Sequence, residues 1–181
     1  MKLPFFKGAE DASPYLNYPT WRSRWDTHII SYEAKFRFGM LWDHIDDAAR
    51  EKIVGHKDNH DIALDKLHKY FGDTLKVVDC VMEDALSPLP VSEGDYKGLI
   101  SYADILVNNY ERLKDIHLEH EMSNTSVMSV IVKKFPRLVS EKWHEHLLTK
   151  TSSERVKSFP IFISWLSTQK ECGNAWCLLI T

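Results

Sequence analysis

Two prolines within three residues, in Ser87-Pro88-Leu89-Pro90, constrain this chain more than any other feature. Proline lacks an amide donor and clashes with the preceding turn, so no helix runs through the pair. Yet the sequence on either side is helical in its periodicity. Ahead of the break, Ala63, Leu67 and Tyr70 share one helical face, with Leu64 and Phe71 beside them. Gly72 sits where that helix should stop, and Asp73 or Thr74 where the next is capped. A second apolar stripe follows at Leu75, Val78, Met82 and Leu86. Beyond the break, Ser92 and Asp95 offer a capping-box-like start to another long helix. The sequence therefore predicts an all-α chain of two small helical bundles. An amino-terminal lobe covers 1–88, a carboxy-terminal lobe 92–171, and Pro88, Leu89 and Pro90 form the interlobe linker.

With 181 residues and 44% of them hydrophobic, the chain is long enough for one good-sized domain or two small ones. Its formal charge is −3, which argues against sequence-independent nucleic-acid binding, a property that runs on excess Lys and Arg. Lys133, Lys134 and Arg137 form a local basic group, read as a solvated helix end. Of three cysteines, Cys80 lies in a helical apolar neighbourhood and is expected to be buried. Cys172 and Cys177 find no partners for a disulfide framework or a zinc site. No apolar run approaches the roughly 20 residues of a membrane span. These features predict a cytoplasmic protein with no membrane span.

Residues 1–16 carry two prolines and a glycine and read as an extended arm, anchored by Leu3, Phe5 and Phe6. A helix is expected from Asn17-Tyr18-Pro19, with proline in its first turn. Trp21, Trp25 and Ile29 then recur every four residues. This face is read as core, with a surface that docks an apolar peptide partner as the alternative. Phe38, Leu41, Trp42 and Ile45 point inward from a second helix, and Ala48, Ala49 and Ile53 from a short third. The loop His56-Lys57-Asp58-Asn59 follows. In the second lobe one face carries Tyr96, Leu99, Ala103, Leu106, Tyr110 and Leu113. Glu119 to Thr125 reads as a loop, with Asn124 or Thr125 as the next cap. Val127, Val130 and Ile131 mark a further helix. Leu138 or Val139, Trp143 and Leu147 mark another, restarted at Pro136. Thr151 to Glu154 reads as a polar connection before Phe159, Phe162, Trp165 and Leu166. The tail 172–181 breaks the pattern and either packs on the last helix or leads into a longer parent chain.

The search for chemistry finds little. His144 and His146 are two apart, which puts their rings on different helix faces, whereas zinc-binding helices need a spacing of four. His56 and His60 have that spacing but span a loop. His117 and His120 end a polar helix. Gly-rich phosphate loops and a Gly-x-Ser-x-Gly elbow are absent from the sequence. No catalytic residue, cofactor or metal ligand is assigned, and the reading favours a binding or assembly protein over an enzyme.

The order of these segments resembles the Gag capsid region of Bel/Pao-type LTR retrotransposons. Leu3-Pro4-Phe5-Phe6-Lys7-Gly8 looks like that family's opening Leu-Pro-x-Phe-x-Gly arm. Tyr18-Pro19-Thr20-Trp21 with Trp25 is similar to its Trp-Pro-x-Phe-x-x-x-Phe helix, and Arg37-Phe38-Gly39-Met40-Leu41 to its Lys-Phe-x-Tyr-Leu segment. Asn59 to Gly72 resembles its Asn-Tyr-x-x-Ala-Leu-x-x-Leu…Phe-Gly stretch. Leu86-Ser87-Pro88-Leu89-Pro90-Val91 looks like its Leu-x-x-Leu-Pro-Pro-Val linker, and Lys134-Phe135-Pro136 with Trp143 like its Lys-Leu-Pro…Trp segment. The resemblance covers Leu3 to Leu166. It implies two all-α lobes that self-associate into hexamers and pentamers, building a shell around the element's RNA. The Cys-x-x-Cys-x-x-x-x-His-x-x-x-x-Cys knuckle of many Gag proteins is missing, so RNA is expected to be held by regions outside this chain. The alternative is a host-captured adaptor that binds apolar peptides through its first lobe.

Overall fold

The computed structural model describes residues 2–10, 13–56 and 59–171. The 172–181 tail, with Cys172 and Cys177, lies outside the described residues, as does the middle of the 56–59 loop. The described chain is helical throughout, and its one β-type pairing is an isolated parallel bridge between Phe6 and Ile45. Its helices are α1 (Pro14–Ile29), α2 (Ala34–Asp43), α3 (Asp47–Ile53), α4 (His60–Phe71) and α5 (Thr74–Leu86). After the prolines come α6 (Tyr96–Lys114), α7 (Thr125–Lys133), α8 (Arg137–Leu148), α9 (Ser152–Arg155) and α10 (Ser158–Glu171). 3₁₀ turns lie at Val54–His56 and Glu119–Ser123. Among the described residues no helix is long and apolar enough to cross a membrane.

The helix ends follow short-range chemistry. Asp46 caps α3 by accepting the Ala49 amide, and Asn59 caps α4 by accepting that of Ile62. At the α4–α5 junction Gly72 closes one helix, and Asp73 Oδ1 accepts the Leu75 amide at 3.0 Å to open the next. A Cβ on Gly72 would lie 2.2 Å from His68 Nδ1 and 2.8 Å from a Tyr18 ring carbon, so this corner closes only around glycine. Helix α5 stops at Leu86, immediately before Ser87 and the prolines. Asp95, not Ser92, caps α6, and Asn124 caps α7. Thr151 and Glu154 form a reciprocal capping box, so the expected polar connection is the short helix α9.

The chain divides into two compact units, Met1–Val81 and Met82–Thr181, and the division falls inside α5. In the first unit, Trp25, Leu41, Ile45, Ala49, Ile53, Ala63 and Leu67 are fully buried and form one cluster with Phe6, Tyr18, Trp21, Ile29 and Phe71. In the second, Leu99, Leu106, Leu113, Met122, Ile131, Val139, Phe159 and Phe162 are fully buried, and Trp143 nearly so. Its aromatic centre is Trp143 against Phe162, centroids 4.9 Å apart, with Phe135 edge-on to Phe162 at 5.2 Å.

Several sequence expectations change. Helix α1 starts at Pro14 instead of Asn17, so Pro19 lies in the helix interior. Phe5 and Tyr70, expected inward, are 53% and 46% exposed. In α5 the buried stripe is Val77, Val81 and Ala85; Val78, Met82 and Leu86, one position further along, form its half-buried edge. Leu75 is 76% exposed. Cys80 is only half-buried. Tyr102 and Asn109 join the buried face of α6, while Val130 points out from α7, where Met128 and Val132 are buried instead. Within the expected 119–125 loop, Glu119–Ser123 form a 3₁₀ turn that buries Met122, and Thr125 already begins α7.

Candidate functional site

The residues offered by the sequence as a partner-binding face, Trp21, Trp25 and Ile29, have 5%, 0% and 3% of their surface exposed. They are core, and the structure shows what covers Trp21: the chain's own arm. Phe6 inserts its ring among Trp21, Tyr18 and Phe71, at centroid distances of 4.9, 5.5 and 5.2 Å. Its main chain pairs in both directions, the Phe6 amide donating to His44 O at 2.8 Å and the Asp46 amide to Phe6 O at 3.0 Å. Trp21 Nε1 donates to Pro4 O at 3.2 Å, and Leu3 is buried in the same cluster. The arm is thus seated between α1, the 44–46 segment, α3 and α4.

Asp46 fastens the arm's far end. Its Oδ1 accepts the Gly8 amide at 2.8 Å and the Ala49 amide at 3.0 Å, and its Oδ2 the Ala9 amide at 3.2 Å. Burial alone would raise this carboxyl; the three amides and the nearby Arg50 charge outweigh it and hold it below the ordinary value. A Cβ on Gly8 would come within 2.9 Å of Ala49 N and 3.0 Å of a Phe71 ring carbon. Only glycine lets the arm lie this close to α3 and α4. Behind the arm, burial pushes the Tyr18 phenol up to about 12, although the neighbouring Arg22 pulls it down.

His44, His60 and His144 bond to groups of the chain itself. His60 Nε2 accepts the Trp25 indole N–H at 3.3 Å, which leaves its Nδ1 to meet Asp61 Oδ1 at 2.9 Å. His44 and His144 bond through Nδ1 to the carbonyls of Met40 and Ser140, one turn earlier in each helix. Among the described residues no three His, Cys, Asp or Glu side chains are placed to hold a metal ion.

Among the described residues, the clefts of the second unit include two larger ones. One of about 630 Å³ is lined by His146, Lys150, Glu154, Lys157 and Trp165, with the His146 and Trp165 rings stacked at 6.0 Å. Burial, and then the Lys150 charge, lower the His146 pKa. Glu154 Oε2 is engaged by the Thr151 amide at 2.8 Å and hydroxyl at 2.7 Å. The other, about 310 Å³, lies against Met128, Val132, Trp143 and Leu147.

The proline segment is tied down within the second unit. Val91 N donates to Lys134 O at 2.7 Å, Lys134 Nζ donates to Pro88 O, and Arg137 N donates to Glu93 Oε1 at 2.8 Å. Leu89 projects from it, 86% exposed. Sequence reasoning placed Leu3, Phe5 and Phe6 as anchors, of which Leu3 and Phe6 are buried, and named Gly8 only as the last residue of the arm's motif. It missed Asp46, whose only signal was a capping position before α3. No protein-family model, curated protein or solved structure matches this chain.

Proposed function

We propose that this chain is a structural, self-assembling protein of the retrotransposon Gag capsid type, whose copies associate into shell-forming rings of six and five. The observation that carries this reading is the division into two compact helical units, each with buried aromatic residues of its own. Subunits of a curved shell must make many weak, repeated contacts, whose strength comes from multivalency more than from any one site. Large apolar side chains left outside both cores supply material for such contacts, including Ile30 and Phe36 in the first unit and Leu148 and Val156 in the second. In this reading the two units are the lobes, RNA is held by regions outside the chain, and assembly takes place in the cytoplasm without chemistry by the monomer. Sedimentation velocity and electron micrographs over rising concentration and salt test it. Oligomers that grow with concentration are expected; a monomer under every condition overturns the proposal.

A second reading, an adaptor that binds apolar peptides through the first lobe, gains support from the arm. The first unit already holds an extended Leu-Pro-x-Phe segment in the way such domains hold peptides.

A further inference from the structure

The arm is bound as a foreign peptide would be. It makes two main-chain hydrogen bonds to the 44–46 segment, places one ring in an aromatic box and offers two amides to a carboxylate clamp. Three spaced residues carry the recognition: Leu3 and Phe6 are buried, Gly8 is sterically required, and Phe5 and Lys7 face out. The groove therefore reads a spaced pattern of apolar residue, Phe and Gly, and every contact it makes could equally be made to an arm supplied by another molecule.

The connection back to α1 favours such a switch. Ser13, the last residue before the helix, sits at φ 49, ψ 60, a left-handed conformation that non-glycine residues rarely adopt. Its side chain makes no capping hydrogen bond; only main-chain bonds hold it, the Ser13 amide donating to Glu10 O at 3.2 Å and the Asn17 amide to Ser13 O at 3.2 Å. A short strained connection is the usual setting for exchange of an element between identical copies, because the hinge relaxes while the element's own contacts are remade. Resting on the self-assembly reading, we propose that residues 3–9 are an exchangeable ligand, and that on association the arm of one copy occupies the groove of a second copy. Exchange wins when the local concentration of neighbours exceeds the effective concentration of a tethered arm, on the order of millimolar, which an assembling shell can reach.

A labelled peptide of residues 2–10 and the full chain test this. Gly8→Ala weakens the chain's own arm and leaves the groove's side chains unchanged. The Gly8→Ala chain should bind the peptide saturably, more than about tenfold tighter than the wild-type chain, whose own arm competes. Phe6→Ala in the peptide should weaken binding more than about tenfold, while Phe5→Ala should leave it nearly unchanged. Excess unlabelled peptide should shift wild-type oligomers to smaller species in sedimentation, and the Phe6→Ala peptide should not. A Gly8→Ala chain with wild-type circular dichroism that binds no peptide overturns the proposal. Oligomers untouched by millimolar peptide overturn arm exchange and leave self-assembly standing, and this competition decides the matter if Gly8→Ala does not fold. A wild-type chain that is monomeric throughout yet binds peptide overturns both readings and leaves the groove to a foreign peptide.

Discussion

At the scale of single residues, Asp46 concentrates the most structure in the fewest atoms. One carboxylate starts α3 and fixes the arm, because its two oxygens accept amides from residues 8, 9 and 49. Its folded pKa lies below the unfolded value, so its contribution is complete above the unfolded carboxylate pKa of about 3.9 and is lost as pH falls through the lower folded value. Asp46→Ala should cost about 1–2 kcal/mol in chemical denaturation, the usual loss of a helix cap with further amides left unpaired. It should also accelerate hydrogen exchange at Gly8 and Ala9. A loss of stability with no change at those two amides would make Asp46 a helix cap alone. Tyr18 carries the opposite sign. Its phenol is held neutral by burial, with a folded pKa of about 12 against 10 for an exposed tyrosine. Its contribution is complete below pH 10 and fades as pH rises toward 12, so Tyr18→Phe should flatten the alkaline limb of the stability profile.

Among the elements, α5 shows where sequence patterning succeeds and where it stops. Its ends were legible, because Asp73 and the Ser87-Pro88 stop act within a turn of the helix itself. Its phase was not. Two apolar stripes one residue apart run along the same helix, and only the packing around it selects Val77, Val81 and Ala85. Val81→Ala should therefore cost roughly 2 kcal/mol in a denaturant titration, whereas Leu75→Ala should stay within about 0.5 kcal/mol. The reverse order would restore the stripe that contains Leu75. Helix α6 declared itself through Leu99, Leu106 and Leu113, but its buried Asn109 did not, for the same reason. Asn109 looks polar and outward in sequence, but its Nδ2 donates to Asp84 at 2.9 Å and its Oδ1 accepts from Arg112 at 2.8 Å. A partner 25 residues away leaves no periodic signal. The arm groove was half legible on these terms. Leu3 and Phe6 stand out as apolar residues in a non-helical stretch, while the clamp that completes their site lies 38 residues from Gly8. Trp21, whose ring stacks 5.5 Å from Trp25, belongs to that core. Trp21→Ala should lose about 3–5 kcal/mol or unfold the first unit, not merely blunt a docking surface.

Over the whole molecule, the division inside α5 makes a thermodynamic claim. Each unit buries aromatic and apolar residues of its own, Trp25 among them in one and Trp143 in the other. Helical segments packed on separate cores open with separate free energies, and native-state hydrogen exchange resolves them. Trp25→Ala removes a fully buried indole from the first unit and strips His60 Nε2 of its donor. It should lower protection across α1, α3 and α4 by a few kcal/mol and leave the slowest amides of α8 and α10 at their wild-type rates. Trp143→Ala should do the converse. Helix α5 decides the sharpness of the boundary, since its hydrogen-bond ladder runs unbroken from the first unit into the second. If its amides up to Val81 follow the Trp25 variant, and those after Met82 follow the Trp143 variant, the helix frays at the division. Equal loss of protection in both units from either substitution would mean one cooperative body. The capsid reading, which needs two lobes able to act separately in rings of different curvature, would then lose its physical basis.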